Sequence, residues 1–219
     1  MVVAMDEQPG LRQRLYNGLR RLGYLGLIEP FLLRAKRRVR TLVEQLEPGS
    51  MIEVGCGACT QAVALAKLGI SVTAVDISDR MFPVFTRRLP DTLRYFRADG
   101  TALPFPDACF DLGLASLTLH EMAPESRVPV LTEMARVVKS GGTLLILDFD
   151  FEAGQPLDLA AYIIRFIERM GGRDHHRHFR DFVRRGGVPA LALRMGFAVA
   201  RRHPILGDRG GIFELSMRR

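Results

Sequence analysis

The sequence lacks tryptophan and has only four tyrosines among its 219 residues. Few aromatic side chains are therefore available to stack on nucleic-acid bases. No recognised RNA-binding motif is present either. Although the net charge is +7, we expect that nucleic acid is not a partner.

Long apolar runs are also absent. The most apolar strand-like stretch, 144–149, is interrupted by Asp148, and a membrane-spanning helix needs about 18 or more apolar residues. The first six residues contain an acid where a secretion signal requires basic residues. We therefore expect a soluble, cytoplasmic protein.

Cysteine is sparse. The chain of 219 residues has three cysteines, Cys56, Cys59 and Cys109. Their number is small and odd, which argues against a disulfide framework. A zinc site built on Cys56-x-x-Cys59 would need further ligands, and no second pair exists. We expect three inert, buried thiols in a reducing compartment.

The positive charge is unevenly distributed. Segments 1–46 and 151–219 carry net charges of +5 and +6, whereas 47–150 carries −4. Basic flanks around an acidic centre indicate two binding functions, although solvated helix faces give the same pattern. The basic helix over 31–46 could also contact a membrane surface or an acidic partner.

The order of apolar patterns predicts an α/β fold. Helical spacing covers 11–46, with a break near Pro30, and residues 157–170 form a later helix. Between them, strands predicted at 51–54, 71–76, 92–97, 110–116 and 142–149 alternate with helices at 60–68, 79–88 and 125–138. This alternation predicts a three-layer, doubly wound, mostly parallel sheet. Segments 197–203 and 211–218 are predicted to form a hairpin. We expect a helical N-terminal lid over 1–46 and a main domain over 47–219, with a substrate cap at 151–190.

Three predicted strand ends carry residues suited to an adenosine cofactor. A glycine loop, Glu53-x-Gly55-x-Gly57, follows the first strand, but Thr60 occupies the sixth place of the dinucleotide motif G-x-G-x-x-G. Asp76 ends the second strand, where a carboxylate can bind ribose hydroxyls, and Asp99 follows the third. Each acid alone could instead be a helix cap or turn former.

Together these motifs resemble the class I S-adenosylmethionine-dependent methyltransferases, in the branch similar to the ubiquinone/menaquinone-biosynthesis methyltransferases. The resemblance covers about 48–150. Its further motifs are Ala98-Asp99-Gly100, Leu103-Pro104-Phe105, Phe110-Asp111, Leu119-His120-Glu121-Met122 and the run from Arg136 to Gly142. It implies a seven-stranded sheet whose last strand is antiparallel, and S-adenosyl-L-methionine as cofactor.

The resemblance also implies roles for individual residues. Glu53 would face the methionine end of the cofactor, Asp76 the ribose and Asp99 the adenine amine. The full implied set of cofactor contacts is Glu53, Gly55, Cys56, Gly57, Asp76, Ile77, Met81, Asp99, Gly100 and Ser116. Two departures are Cys59, where many members have glycine, and Ser140, where proline is usual.

His120 is the first candidate for a catalytic base and Glu121 the second, because both follow the fourth strand near the sheet's carboxyl edge. His120 could equally be a packing residue. His175, His176 and His178 form a possible metal set, but Arg173, Arg177 and Arg180 lie beside them. We therefore expect no metal site.

The predicted function is methyl transfer to a small-molecule or lipid-like acceptor, with an anionic acceptor compatible with the basic flanks. A catalytically silent cofactor-binding or membrane-associated partner protein is the main alternative. An NAD-dependent oxidoreductase is disfavoured because the third glycine of its motif is absent.

Overall fold

The computed structural model describes residues 29–78, 89–151 and 158–217. The predicted helix over 79–88, the candidate residue Met81 and the first part of the predicted N-terminal lid lie outside these ranges. No helix in the described ranges combines the length and hydropathy needed to cross a membrane.

A seven-stranded sheet forms the centre of the fold. Its strands are β1 (Ser50–Val54), β2 (Ser71–Asp76), β3 (Leu93–Arg97), β4 (Phe110–Ser116), β5 (Val138–Phe149), β6 (Phe197–Ile205) and β7 (Gly210–Met217). They are arranged in the order β3-β2-β1-β4-β5-β7-β6. The neighbours among the first five strands pair in parallel, and β7 is antiparallel to both β5 and β6. The doubly wound sheet, its antiparallel last strand and the terminal hairpin are thus confirmed.

Helices cover both faces of the sheet. They are α1 (Glu29–Leu46), α2 (Thr60–Ala66), α3 (Pro124–Val137), α4 (Leu159–Met170), α5 (Arg173–Arg184) and α6 (Gly187–Arg194). Because side chains alternate along a strand, Leu144 and Ile146 enter one apolar core while Leu145 and Leu147 enter the other. Two cores on opposite faces explain why β5 is continuously apolar from Leu144 to Leu147.

Helix α1 packs on the domain through an apolar stripe. Val39, Leu42 and Val43 are buried in the core that also contains α2. Lys36 donates a hydrogen bond from Nζ to Thr60 Oγ1 at the start of α2, at 2.7 Å. The role of 1–46 as a lid stays a prediction.

Three elements differ from the sequence prediction, and one of them, helix α6 (Gly187–Arg194), was not predicted at all. Strand β5 begins at Val138, four residues before the predicted start at 142, because Val138 pairs with Phe110 across a register irregularity. Residues 173–184, which had no assigned structure, form α5, with Phe179 and Phe182 buried on one side.

Arg127 of α3 fixes α5 against the rest of the domain. Its side chain is buried, and its Nε donates to the Leu119 carbonyl at 3.1 Å. Its two terminal nitrogens donate to Asp181 Oδ2 and to the His178 carbonyl, each at 2.8 Å. One guanidinium group therefore joins the segment after β4 to α5.

The chain leaves β1 through a tight loop with two glycines in the left-handed region. Gly55 has φ 75° and Gly57 has φ 51°. A Cβ atom at Gly55 would collide with the Thr118 side chain, whereas a Cβ atom at Gly57 would meet no atom within 4 Å. Of these two glycines, Gly55 needs both a left-handed backbone and the absence of a side chain, whereas Gly57 needs the left-handed backbone alone.

We expect Gly55→Ala to lower the free energy of unfolding by about 3 kcal/mol, the sum of left-handed strain and overpacking. Gly57→Ala should cost only the strain, about 1 to 2 kcal/mol. Urea unfolding of both variants measures the difference. Equal losses would show that the contact with Thr118 does not constrain the loop.

Candidate functional site

The predicted cofactor residues lie at one edge of the sheet. Strands β3, β2, β1 and β4 are consecutive neighbours. Asp76 and Ser116 end β2 and β4, Gly55 follows β1, and Asp99 lies two residues beyond β3. Because parallel strands share one carboxyl edge, where open α/β sheets bind ligands, the fold brings these predicted residues together.

Asp76 connects β2 to the glycine loop. Its Oδ2 accepts a hydrogen bond from the Gly57 N–H at 2.8 Å, and its Oδ1 accepts one from the Ser78 N–H at 2.9 Å. Each carboxylate oxygen can accept two hydrogen bonds. Asp76 therefore organises the loop and keeps acceptor capacity for two sugar hydroxyls. Ile77, the next residue, is exposed.

Asp99 and Gly100 form the neighbouring turn. Asp99 Oδ1 accepts hydrogen bonds from the Thr101 N–H and hydroxyl, each at 2.8 Å. These two bonds, the backbone one first, lower the pKa of Asp99 and favour its anionic form. A Cβ atom on Gly100 would lie 2.9 Å from Val54 Cγ1, so glycine permits close packing of this turn on β1.

The methionine side of the predicted cofactor site lies between β1 and β4. Glu53 is buried on β1, with Ala74 and Leu114 as its neighbours across the sheet. Thr118 Oγ1 hydrogen-bonds to the Gly55 carbonyl at 3.2 Å. Among the described residues, Ser116 Oγ is buried without a hydrogen-bond partner. A buried hydroxyl of this kind calls for a polar ligand, so the residues fit S-adenosyl-L-methionine.

Cys56 and Cys59 correct a prediction, because they are paired as a disulfide rather than being two free thiols. Cys59 adopts a left-handed conformation with φ 53°, and its N–H donates to the Cys56 carbonyl at 2.7 Å. This tight turn brings the two Cα atoms to 4.7 Å, within the range for a disulfide. Cys109 is free, as expected, but it is half-buried rather than buried.

His120 lies beyond β4, next to the predicted cofactor site. It is 2% exposed, and its Nδ1 is 2.7 Å from Oδ1 of Asp148 at the end of β5. With the Nδ1–H group donating a hydrogen bond to this carboxylate, Nε2 lies 3.5 Å from Glu168 Oε2 and 3.9 Å from Glu121 Oε1. The two predicted catalytic residues are therefore adjacent, within a group of carboxylates.

The carboxylates determine the charge of His120. Burial, the largest single effect, lowers the pKa of His120. The charge and the hydrogen bond of Asp148, together with the charges of Glu168 and Glu121, raise the pKa by more than burial lowers it. The result is a pKa raised to about 9. His120 is therefore protonated at neutral pH.

The three histidines of α5 point in different directions. His175 Nε2 lies 2.5 Å from Glu168 Oε2, and the two rings of His175 and His120 have centroids 5.7 Å apart. His178 Nδ1 instead contacts the Glu121 carbonyl at 2.9 Å, and His176 stacks on Phe179.

Sequence reasoning missed Asp148 and Glu168. Asp148 had a usable signal, since it is the single acid in an otherwise apolar strand segment that ends at the carboxyl edge. Glu168 had none, because charged residues are ordinary on a helix, and only the fold places it beside His120.

Aromatic rings pack around His120. Its ring centroid lies 4.8 Å from that of Phe149 and 6.0 Å from that of Phe179. Phe151 contacts both phenylalanines, at 6.3 and 5.9 Å. The site thus combines a polar, acidic centre with an apolar wall.

Comparisons with known proteins agree with this geometry. Residues 52–146 match a family model described as a methyltransferase domain. The chain is 31% identical over 142 residues to a demethylmenaquinone methyltransferase of Renibacterium salmoninarum, covering 64% of this chain and 59% of that protein. It is 31% identical over 126 residues to a ubiquinone/menaquinone biosynthesis C-methyltransferase of Citrobacter koseri, covering 52% of this chain and 49% of that protein.

A similar fold occurs in a Burkholderia thailandensis 1,6-didemethyltoxoflavin-N1-methyltransferase, solved with 1,6-didemethyltoxoflavin and S-adenosylhomocysteine bound. The TM-score is 0.62 at 15% identity, with coverage of 99% of this chain and 94% of that one. The chain spans about half to three fifths of the length of these two curated relatives. Residues 52–146 are therefore similar to methyltransferase domains, and the chain is similar to methyltransferases of the ubiquinone/menaquinone-biosynthesis branch.

Proposed function

We propose that this protein transfers a methyl group from S-adenosyl-L-methionine to a small, lipid-like acceptor bound beside His120. The observation that carries the proposal is the placement of His120 and Asp148 on the same sheet edge as the predicted cofactor residues. The cofactor supplies an electrophilic methyl group on a sulfonium. The protein's task is to bind, orient and exclude water from the two reactants.

The cofactor half of the site is built from strand ends. Asp76 would accept the ribose hydroxyls while it holds the glycine loop, and Asp99 would accept the adenine amine. Glu53 would balance the positive charge at the methionine end, and Ser116 would gain a partner for its buried hydroxyl. These contacts fix the cofactor along one rim.

The acceptor half would lie between the ends of β4 and β5 and the helices α4 and α5. Phe149 and Phe179 are buried next to the imidazole, and the half-buried Phe151 packs on both rings and would present an apolar surface to the acceptor. Such a surface suits a lipid-like molecule, and the curated relatives are named for demethylmenaquinone and ubiquinone/menaquinone biosynthesis. His120 and Glu121 would both face the acceptor's polar group: Glu121 would accept the proton of a hydroxyl acceptor, and the protonated His120 would donate a hydrogen bond to the acceptor oxygen.

A labelled-methyl assay tests the proposal. The chain is incubated with S-adenosyl-L-methionine carrying a labelled methyl group and a panel of quinols, isoprenoid lipids and small acids. We expect transfer to a lipid-like acceptor. Binding of the cofactor with no transfer to any acceptor would favour the silent partner protein, and binding of NAD in place of the cofactor would favour the oxidoreductase.

We expect Asp76→Ala to weaken S-adenosyl-L-methionine binding by about 10- to 150-fold, equivalent to roughly 1.5 to 3 kcal/mol of charge-assisted hydrogen bonding. Calorimetry measures this change. Asp174→Ala, which removes an exposed acid on α5, is the control and should bind normally. An unchanged affinity for Asp76→Ala would mean that the ribose lies elsewhere.

We expect His120→Gln to lower turnover by about 100-fold or more, the usual contribution of a positioned hydrogen-bond donor at a developing negative charge, while cofactor affinity is retained. His203→Gln is the matched control, because it also removes a histidine paired with a glutamate, at 2.7 Å from Glu214. Steady-state kinetics and calorimetry give the two quantities. Normal turnover of His120→Gln would leave His120 a packing residue.

The raised pKa of His120 also predicts how stability depends on pH. Because the folded pKa of about 9 exceeds the ordinary value of 6.5, the stabilisation is complete below about pH 6.5 and is lost as pH rises through about 9. The loss is at most about 3 kcal/mol. Urea unfolding between pH 6 and 10, with a chelator present, should show this decline, and His120→Gln should reduce it. Identical pH profiles for the two proteins would contradict the assigned shift.

A further inference from the structure

Two imidazoles and one carboxylate converge beyond the carboxyl ends of β4 and β5. One donor atom from each of His120, Glu168 and His175 lies within 4.8 Å of the other two. Donors that ligate one ion at about 2.0 to 2.2 Å lie roughly 3 to 4 Å apart. The 3.5 Å separation of His120 Nε2 and Glu168 Oε2 already fits. His175 Nε2 lies 2.5 Å from the same oxygen. This distance would have to increase by about 0.5 Å for both atoms to ligate one ion.

Asp148 prepares His120 to be a ligand. Its carboxylate faces Nδ1 and accepts N–H groups from Leu119, His120 and Phe149 at 3.0, 3.3 and 2.7 Å. Metal-binding histidines commonly donate their second ring N–H to a carboxylate, which fixes the tautomer and directs the other nitrogen to the ion. His120 has this arrangement, with Nε2 as the free ligand atom.

The turn between α4 and α5 sets the other two ligands. Glu168 lies in the last turn of α4 and is 4% exposed, and His175 lies in the first turn of α5. Gly171 between them packs so closely that an added Cβ atom would lie 2.5 Å from His175 Cδ2. The missing side chain therefore leaves the space that the imidazole occupies beside the carboxylate.

The arginines near the cluster do not oppose a cation. Arg173, Arg177 and Arg180 are all exposed, because α5 turns their side chains toward solvent. The charges within 4 Å of the two imidazoles are instead carboxylates, supplied by Asp148, Glu168 and Glu121.

We infer that His120, Glu168 and His175 form a binding site for a divalent first-row transition-metal ion, with Asp148 as a positioning residue. This inference replaces the sequence expectation of no metal site. That expectation grouped His175 with His176 and His178, whereas the fold places it with His120 and Glu168.

The ligand set indicates the type of ion and of site. Two imidazoles and a carboxylate suit zinc or iron-like ions rather than magnesium, which prefers oxygen ligands. Three protein ligands leave at least one position for water or an exogenous oxygen, as in catalytic rather than structural zinc sites. Glu121 Oε1, 3.9 Å from His120 Nε2 and 3.8 Å from His175 Nδ1, borders that position.

The proposed metal site lies beside the proposed acceptor site, but the metal inference does not depend on the proposed function. A hydroxyl bound to the ion would ionise more readily than in water. His120 Nε2 cannot ligate an ion and carry a proton at the same time. Its role as a metal ligand and its proposed role toward the acceptor therefore exclude each other. Metal binding can therefore fail while methyl transfer succeeds, and the reverse.

Calorimetric titration of the chelator-stripped full chain with Zn²⁺ tests the inference, with Mg²⁺ as comparison. We expect one Zn²⁺ per chain and weak or no Mg²⁺ binding. Glu168→Gln and His175→Gln should each weaken Zn²⁺ binding at least about 100-fold, and Asp148→Asn by about 10- to 100-fold. His203→Gln should bind normally, because its partner Glu214 forms an isolated imidazole–carboxylate pair.

Two further measurements distinguish the histidine–carboxylate site from a cysteine site and from a loss of folding in the variants. S-adenosylhomocysteine binding and thermal unfolding show that each variant is folded. The Co²⁺ form should show absorption of nitrogen and oxygen ligands without a thiolate charge-transfer band, and Cys109→Ser should leave binding unchanged. Absence of Zn²⁺ binding, binding that survives Glu168→Gln and His175→Gln, or binding lost in Cys109→Ser would overturn the inference.

Discussion

Asp148 is fully buried at the end of β5, and its carboxylate holds the segment that follows β4. It accepts the N–H groups of Leu119 and His120 and lies 2.7 Å from the His120 ring. A buried acid is tolerated only when its hydrogen bonds are made. This one requirement fixes the backbone after β4 and the direction of the imidazole, so the candidate site depends on it.

The two halves of the site are positioned by different means. The predicted cofactor residues follow strand ends, whose positions are set by the parallel register of the sheet. The residues around His120 come from separate elements that polar side chains connect, including Arg127, which anchors α5 through Asp181 and the His178 carbonyl. Changes in α4 and α5 can thus alter the acceptor side while the cofactor side keeps its geometry.

The sequence predicted the strand ends well because they depend on local pattern. The bounds of β2 and β4 were predicted without error, and Asp76, Asp99 and Ser116 lie where the alternation of strands and helices put them. Glu168 and the partnership of His120 with His175 were not predictable, since they arise from the packing of α4 and α5 across a long separation in the chain. The Cys56–Cys59 pair was missed because it depends on the left-handed backbone of Cys59.

The central claim is that one sheet edge holds the cofactor and directs its methyl group toward His120. A crystal structure of the full chain with S-adenosylhomocysteine tests it most directly. The account predicts ribose hydroxyls at Asp76, the adenine amine at Asp99, the homocysteine beside Gly55 and Ser116, and the sulfur on the side that faces His120. A molecule bound away from these strand ends, or with its sulfur turned from His120, would contradict it.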